Sequence, residues 1–138
     1  MVDNNYVIEP IGIIRSKLTD LAEAPMQGSE GGTEAWLEVA PQVAQGLLGI
    51  KPGDHLIVLT WLHRAERNVL QVHPRGRQEA PLKGVFATRS QDRPNPIGLH
   101  QVTVLEVAEQ KIKVAPMEAI DGTPLVDIKP VLTWESTR

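Results

Sequence analysis

The sequence predicts an all-β domain, either a barrel or a sandwich, with one short helix and long loops. About six short runs rich in β-branched residues are separated by glycine- and proline-bearing turns. One segment alone carries helix punctuation, a proline at its start and a glycine at its end. Nothing alternates strand with helix as a doubly wound fold would, and neither GxGxxG nor a phosphate-binding P-loop is present.

Each element has a local reason. "YVIEPIGII" (residues 6–14) is β-branched and reads as the first strand. Residues 16–33 hold Pro25, Gly28, Gly31 and Gly32 and read as a long loop. "TEAWLEV" (33–39) alternates apolar and polar and reads as the second strand. "PQVAQGLLG" (41–49) is the short helix. "KPGD" (51–54) turns the chain into "HLIVLTWLH" (55–63), which is apolar on both alternating sets. That pattern predicts a central strand covered on both faces. Residues 64–83 are polar and basic and read as a second long loop, a length often tied to function. "KGVFAT" (83–88) reads as a short strand. "LHQVTVLEV" (99–107) and "KIKVA" (111–115) form a hairpin around "AEQ". "DGTP" (121–124) is a turn, and "LVDIKPVL" (125–132) is a last extended piece.

A chain of 138 residues fits a single domain over residues 1–138 and can bury a core without staples. Its 41% hydrophobic and 22% charged content is that of an ordinary globular protein. The absence of cysteine excludes disulfides, thiolate metal sites and cysteine nucleophiles. No apolar run reaches membrane-span length, and "MVDNNYVIEP" has no signal-peptide pattern, so the expected location is the cytoplasm with no membrane partner.

Net charge is −3, which gives no global basic field. Locally the balance reverses. Arg64, Arg67, Arg75, Arg77, Lys83, Arg89 and Arg93, half of the fourteen cationic residues, face only Glu66, Glu79 and Asp92 within residues 64–93. A phosphate- or carboxylate-bearing partner suits that patch, although for any one arginine a solvated side chain is the simpler reading.

The four histidines show no metal-ligand spacing. His55 and His63 share a strand face but lie roughly 26 Å apart, too far for one ion. No metal site is expected. His55 and His100 read as strand-end or partly buried histidines, whereas His63 stands where the apolar strand meets the basic loop. Ser29 and Ser90 lack a nucleophile-elbow context.

"ATRSQDRPNPIG" (87–98) is the most unusual stretch. Arg93 and Asn95 each precede a proline and are pushed into extended geometry. Pro94 and Pro96 fix their own φ. The result is a stiff segment that presents side chains at little ordering cost, suited to a binding wall or to a rigid corner between strands.

"GVFATRSQDRPNPIG" (84–98) resembles the signature of the TrmO/TsaA-like family, "IGIIRS" (11–16) its first strand, and "DGTPLVDIKPVL" (121–132) its closing motif. The similarity runs in order over nearly the whole chain. It implies a single-sheeted β-barrel and a homodimer that binds S-adenosylmethionine in clefts near the subunit interface. It also implies a methyltransferase that modifies the N6 nitrogen of threonylcarbamoyladenosine in tRNA.

By motif, the implied cofactor contacts are Gln27, Gly28 and Ser29 in the first loop, His63 and Arg64 at the end of the long strand, Arg89, Leu99, and Ala115, Pro116, Met117 and Glu118. Arg89 or loop amides are suited to the cofactor's carboxylate, and Leu99 with Pro116 and Met117 to its adenine. Arg93, Asn95 and Asp121 belong to the substrate side or the interface, and His63 or Asp121 to proton removal. Bacterial members often carry an additional C-terminal domain, whereas this sequence ends just after the barrel. A cofactor-binding sensor or a small-molecule methyltransferase are therefore alternatives.

Overall fold

A computed structural model describes residues 5–19 and 33–133. Six strands close into one barrel, in the order β1 (Gly12–Ser16), β2 (Thr33–Val39), β7 (Lys111–Met117), β6 (Ile97–Val107), β3 (His55–Trp61), β8 (Pro124–Pro130) and back to β1. Every adjacent pair is antiparallel. A separate two-stranded ribbon, β4 (Gln71–Val72) with β5 (Lys83–Gly84), stands beside it. The all-β reading holds, and closure leaves no free edge on the main sheet.

Period-two alternation sets the core. Ala35, Leu37 and Val39 of β2, Leu56 and Val58 of β3, Val102 and Val104 of β6, Ile112 and Val114 of β7, and Leu125 of β8 all point inward and are buried. On β3 the other set, Ile57, Leu59 and Trp61, is half-buried on the outside of the barrel. The doubly apolar pattern of "HLIVLTWLH" therefore belongs to an inward set and an outer apolar face, rather than to a strand covered on both sides.

Three elements depart from expectation. β1 is Gly12–Ser16 rather than residues 6–14, and Tyr6 and Val7 are 86% and 80% exposed. Pro10 breaks the donor ladder just before the segment that pairs with β2. The predicted helix is a run of 3₁₀ turns, Pro41–Leu47, with Leu47 its one buried residue. Such a run has a single apolar anchor and lacks the i, i+4 stripe that would hold an α-helix on the barrel. The predicted strand at 83–88 stops at Gly84 and becomes a 3₁₀ turn, Val85–Ala87. There the Thr88 hydroxyl and the Arg93 guanidinium both donate to the Val85 carbonyl. The loop at 64–83 in turn contains β4 and a 3₁₀ turn at Pro74–Gly76.

Candidate functional site

β3 ends at Trp61 and hands the chain to His63, Arg64 and the basic segment, so the functional candidates gather at that end of the barrel. The signature stretch folds back beside it. Leu62 N donates to Pro96 O, Arg93 N to Glu66 O, and Glu66 N to the Asp92 carboxylate. Arg67 closes the connection: its Nε donates to Pro94 O at 2.7 Å and its Nη2 to Asn95 Oδ1 at 2.9 Å. Its guanidinium also lies 5.1 Å from the Trp61 ring centroid. The proline-rich corner is thus pinned from outside.

Arg93 pins it from within. Its Nε donates to Ser90 O, and its Nη2 to Val85 O and Thr88 O, at 2.6–2.7 Å. These carbonyls belong to the first residue of the 3₁₀ turn and to two residues that follow it. Arg93 and Asn95, expected at the substrate or the interface, are here engaged in holding the loop, although Asn95 stays exposed.

The braced loop forms one wall of an open cleft of about 640 Å³. Arg64, Lys83 and Arg89 bring cationic groups to it, with His73, Thr88, Ser90, Gln78 and Gln91 as polar lining and Asp92 as the acid. Arg64 and Arg89 make no hydrogen bond or ion pair with any described residue, so their donors are available to a ligand. The cleft's size suits a nucleoside-sized ligand. His63 is exposed and lies outside the lining.

The remaining described candidates lie outside the cleft's lining. Leu99 is 42% exposed on the outer face of β6, opposite Leu59. Met117 is fully buried, and the peptide bond joining Ala115 to Pro116 is cis. Glu118 turns into the barrel end, where its Oε1 accepts from His100 Nδ1 at 2.6 Å while its Oε2 is buried without a partner. Asp121 accepts from Ser16 N at 3.0 Å and lies 3.8 Å from Arg15, which ties the DGTP turn to β1. Gly122 makes that turn at φ 85°, a conformation glycine adopts freely. Gln27, Gly28 and Ser29 lie outside the described residues. Among the described residues no three His, Cys, Asp or Glu side chains gather as a metal site would require, and no helix is long and apolar enough to cross a membrane.

The sequence places Arg67 only in the basic patch and His100 as a strand-end or partly buried histidine, with no bonding role for either, and it does not single out Thr60. For His100 a signal existed, since it shares the inward phase of Val102 and Val104 on β6. Arg67 offered none, because its partners come from a segment about 27 residues on.

An S-adenosyl ligand fits the cleft on one observation, the unpaired arginines, whose donors match its carboxylate. Residues 13–135 match the family model for the tRNA-methyltransferase O N-terminal domain. The chain is 42% identical over 130 residues to a "Probable S-adenosyl-L-methionine-binding protein" of Methanothermobacter thermautotrophicus, covering 94% of this chain and 93% of the relative. It is 41% identical over 123 residues to an S-adenosyl-L-methionine-binding protein of Archaeoglobus fulgidus, covering 89% and 87%. It superposes on a crystal structure of TrmO from Pseudomonas aeruginosa with a TM-score of 0.75 at 25% identity, covering 98% of this chain and 60% of that one. The chain therefore spans about three-fifths of the solved TrmO chains it matches. On the extent of the family match, the chain belongs to the tRNA-methyltransferase O N-terminal domain family.

Proposed function

We propose that this protein binds S-adenosylmethionine and is a methyltransferase for tRNA, acting on the N6 nitrogen of threonylcarbamoyladenosine. The observation that carries the reading is the pair of unpartnered arginines, Arg64 and Arg89, at one braced cleft in a chain of this family. When bound, the cofactor supplies an already activated methyl group on a sulfonium. What remains for the protein is alignment.

Arg89 is the main donor to the cofactor's carboxylate, with Arg64 beside it. Lys83 and His73 line the same cleft and add donors for an anionic substrate. Arg93 and Arg67 keep that wall still, so little ordering is required on binding. A sparsely acidic cleft also suits a sulfonium that loses its charge as the methyl group departs, because strong anionic stabilisation would favour the reactant. A tRNA substrate goes with a cytoplasmic location. The apolar outer face of β3 and β6 supports a homodimer built on that face.

Calorimetry with S-adenosylmethionine tests binding. Wild type is expected to bind, and Arg89→Ala to lose roughly 10- to 100-fold in affinity. Incubation with labelled cofactor and bulk tRNA tests the reaction. Label recovered in threonylcarbamoyladenosine supports the tRNA reading, and binding without any transfer points to a sensor.

A further inference from the structure

The barrel end beneath the basic loop holds a polar chain that the apolar core does not require. Thr60 and His100 are 0% and 5% exposed. His100 Nε2 is 2.8 Å from Thr60 Oγ1, and its Nδ1 is 2.6 Å from Glu118 Oε1. The Glu118 side chain is 13% exposed, and its second oxygen is buried with no partner. A buried carboxylate oxygen without a donor is costly, so an otherwise satisfied network ending in one marks a place where a partner arrives.

The order hydroxyl, imidazole, carboxylate is the connectivity of a hydrolytic triad. Access rules that chemistry out. Gly98 presses against the pair so closely that a Cβ there would stand 2.5 Å from Thr60 Oγ1 and 2.8 Å from His100 Nε2. Thr60 is wholly buried and the Gly98 backbone closes over its hydroxyl, so no substrate atom reaches it, whereas the Glu118 side chain keeps part of its surface exposed beside the unpartnered oxygen. The chain therefore works in the opposite sense. Thr60 fixes the ring, and the ring fixes the carboxylate. With Glu118 as acceptor, Nδ1 carries the proton, and in the neutral ring Nε2 accepts from the Thr60 hydroxyl.

We propose that His100, braced by Thr60, is a positioning residue for Glu118, whose free Oε2 accepts a hydrogen bond from the S-adenosyl ligand. This rests on the cofactor reading above. The donor is either the ligand's α-ammonium or a ribose hydroxyl, and 5′-methylthioadenosine separates the two because it has the ribose and lacks the amino acid.

Proton and nitrogen NMR of the free protein is expected to show the His100 Nδ1–H far downfield. Glu118→Gln should remove that signal, and adding S-adenosylmethionine to wild type should move it. Calorimetry then compares His100→Ala, His100→Asn and His100→Gln. The asparagine amide stands near the Nδ1 position and can still donate to Glu118, whereas the glutamine amide reaches toward Thr60. The alanine and glutamine variants should lose roughly 10-fold or more in affinity, and asparagine should recover most of it. Wild-type binding with equal affinity in all three variants overturns the proposal and leaves the cofactor reading standing. Equal losses in alanine and asparagine that follow a lowered melting temperature also overturn it, because the role would then be structural only. No binding by wild type removes the cofactor reading and this proposal together.

Discussion

Two arginines of the signature stretch, four residues apart, have opposite employments. Arg93 donates to three backbone carbonyls, and Arg89 to none of the described residues. Arg93→Ala should therefore cost about 2–3 kcal/mol in stability, the loss of charge-assisted bonds that leaves carbonyls unpaired. Arg93→Lys should recover little, since one ammonium does not reproduce the fork. Arg89→Ala should leave the melting temperature unchanged while weakening cofactor binding. Thermal unfolding of the three variants checks this contrast, and a large drop for Arg89→Ala would place that residue in the scaffold. Gly98 gives a second case. The Cβ of Gly98→Ala would meet Thr60 and His100 well inside contact distance, so a loss of about 1–3 kcal/mol is expected by the same measurement.

Elements were legible where the signal was local. β2 was read at its observed bounds, because "TEAWLEV" alternates cleanly, and β1 pairs with it in unbroken register while β7 does so from Ala35 onward. β1 was displaced because "YVI" has the composition of a strand but no partner strand among the described residues. The turn at Val85–Ala87 was read as strand because the hydrogen bonds that bend it come from Thr88 and Arg93, and composition does not show them. The same limit applies to the site. The motif gave Arg89, while the clamp from Arg67 joins two loops 28 residues apart and the inward pair of Thr60 and His100 depends on strand pairing across 40 residues.

The turn before β3 carries a pH prediction of its own. Asp54 accepts from Lys51 N at 3.0 Å and pairs with Lys51 Nζ at 3.2 Å. The backbone bond chiefly, then the lysine, holds its carboxyl below the usual carboxylate range. With the folded-state value below the unfolded one, the stabilisation is complete above the unfolded value and fades as pH falls through the folded one. Asp54 is exposed enough that the effect is small. Asp54→Asn should melt slightly below wild type at neutral pH, and the two should converge in acid. A constant gap across that range would remove the ionised carboxylate as the cause.

At the scale of the whole molecule, the barrel hides one face of each strand and leaves an uneven outer surface. On β2 and β7 that surface is charged: Trp36 lies under Lys111 and Lys113, and Glu34 and Glu38 pair with Lys113 and Arg15. On β3 and β6 it is apolar toward the Trp61 and Ile97 end, beyond Gln101. Leu59 stands opposite Leu99 and Trp61 opposite Ile97, with Ile57 in the same row, and Ile97 and Leu99 are 41% and 42% exposed. A contiguous apolar face beside a candidate binding cleft suits a second copy of the chain, and a two-fold axis would let the same row meet itself. Wild type is therefore expected to sediment as a dimer at micromolar concentration. Leu59→Arg, which sets a charge in the middle of the row without touching the core, should give a folded monomer with an unchanged circular dichroism spectrum. Lys113→Glu on the charged side should leave the dimer intact. A dimer that survives Leu59→Arg would move the interface elsewhere, and a monomeric wild type would leave this face without the partner assigned to it.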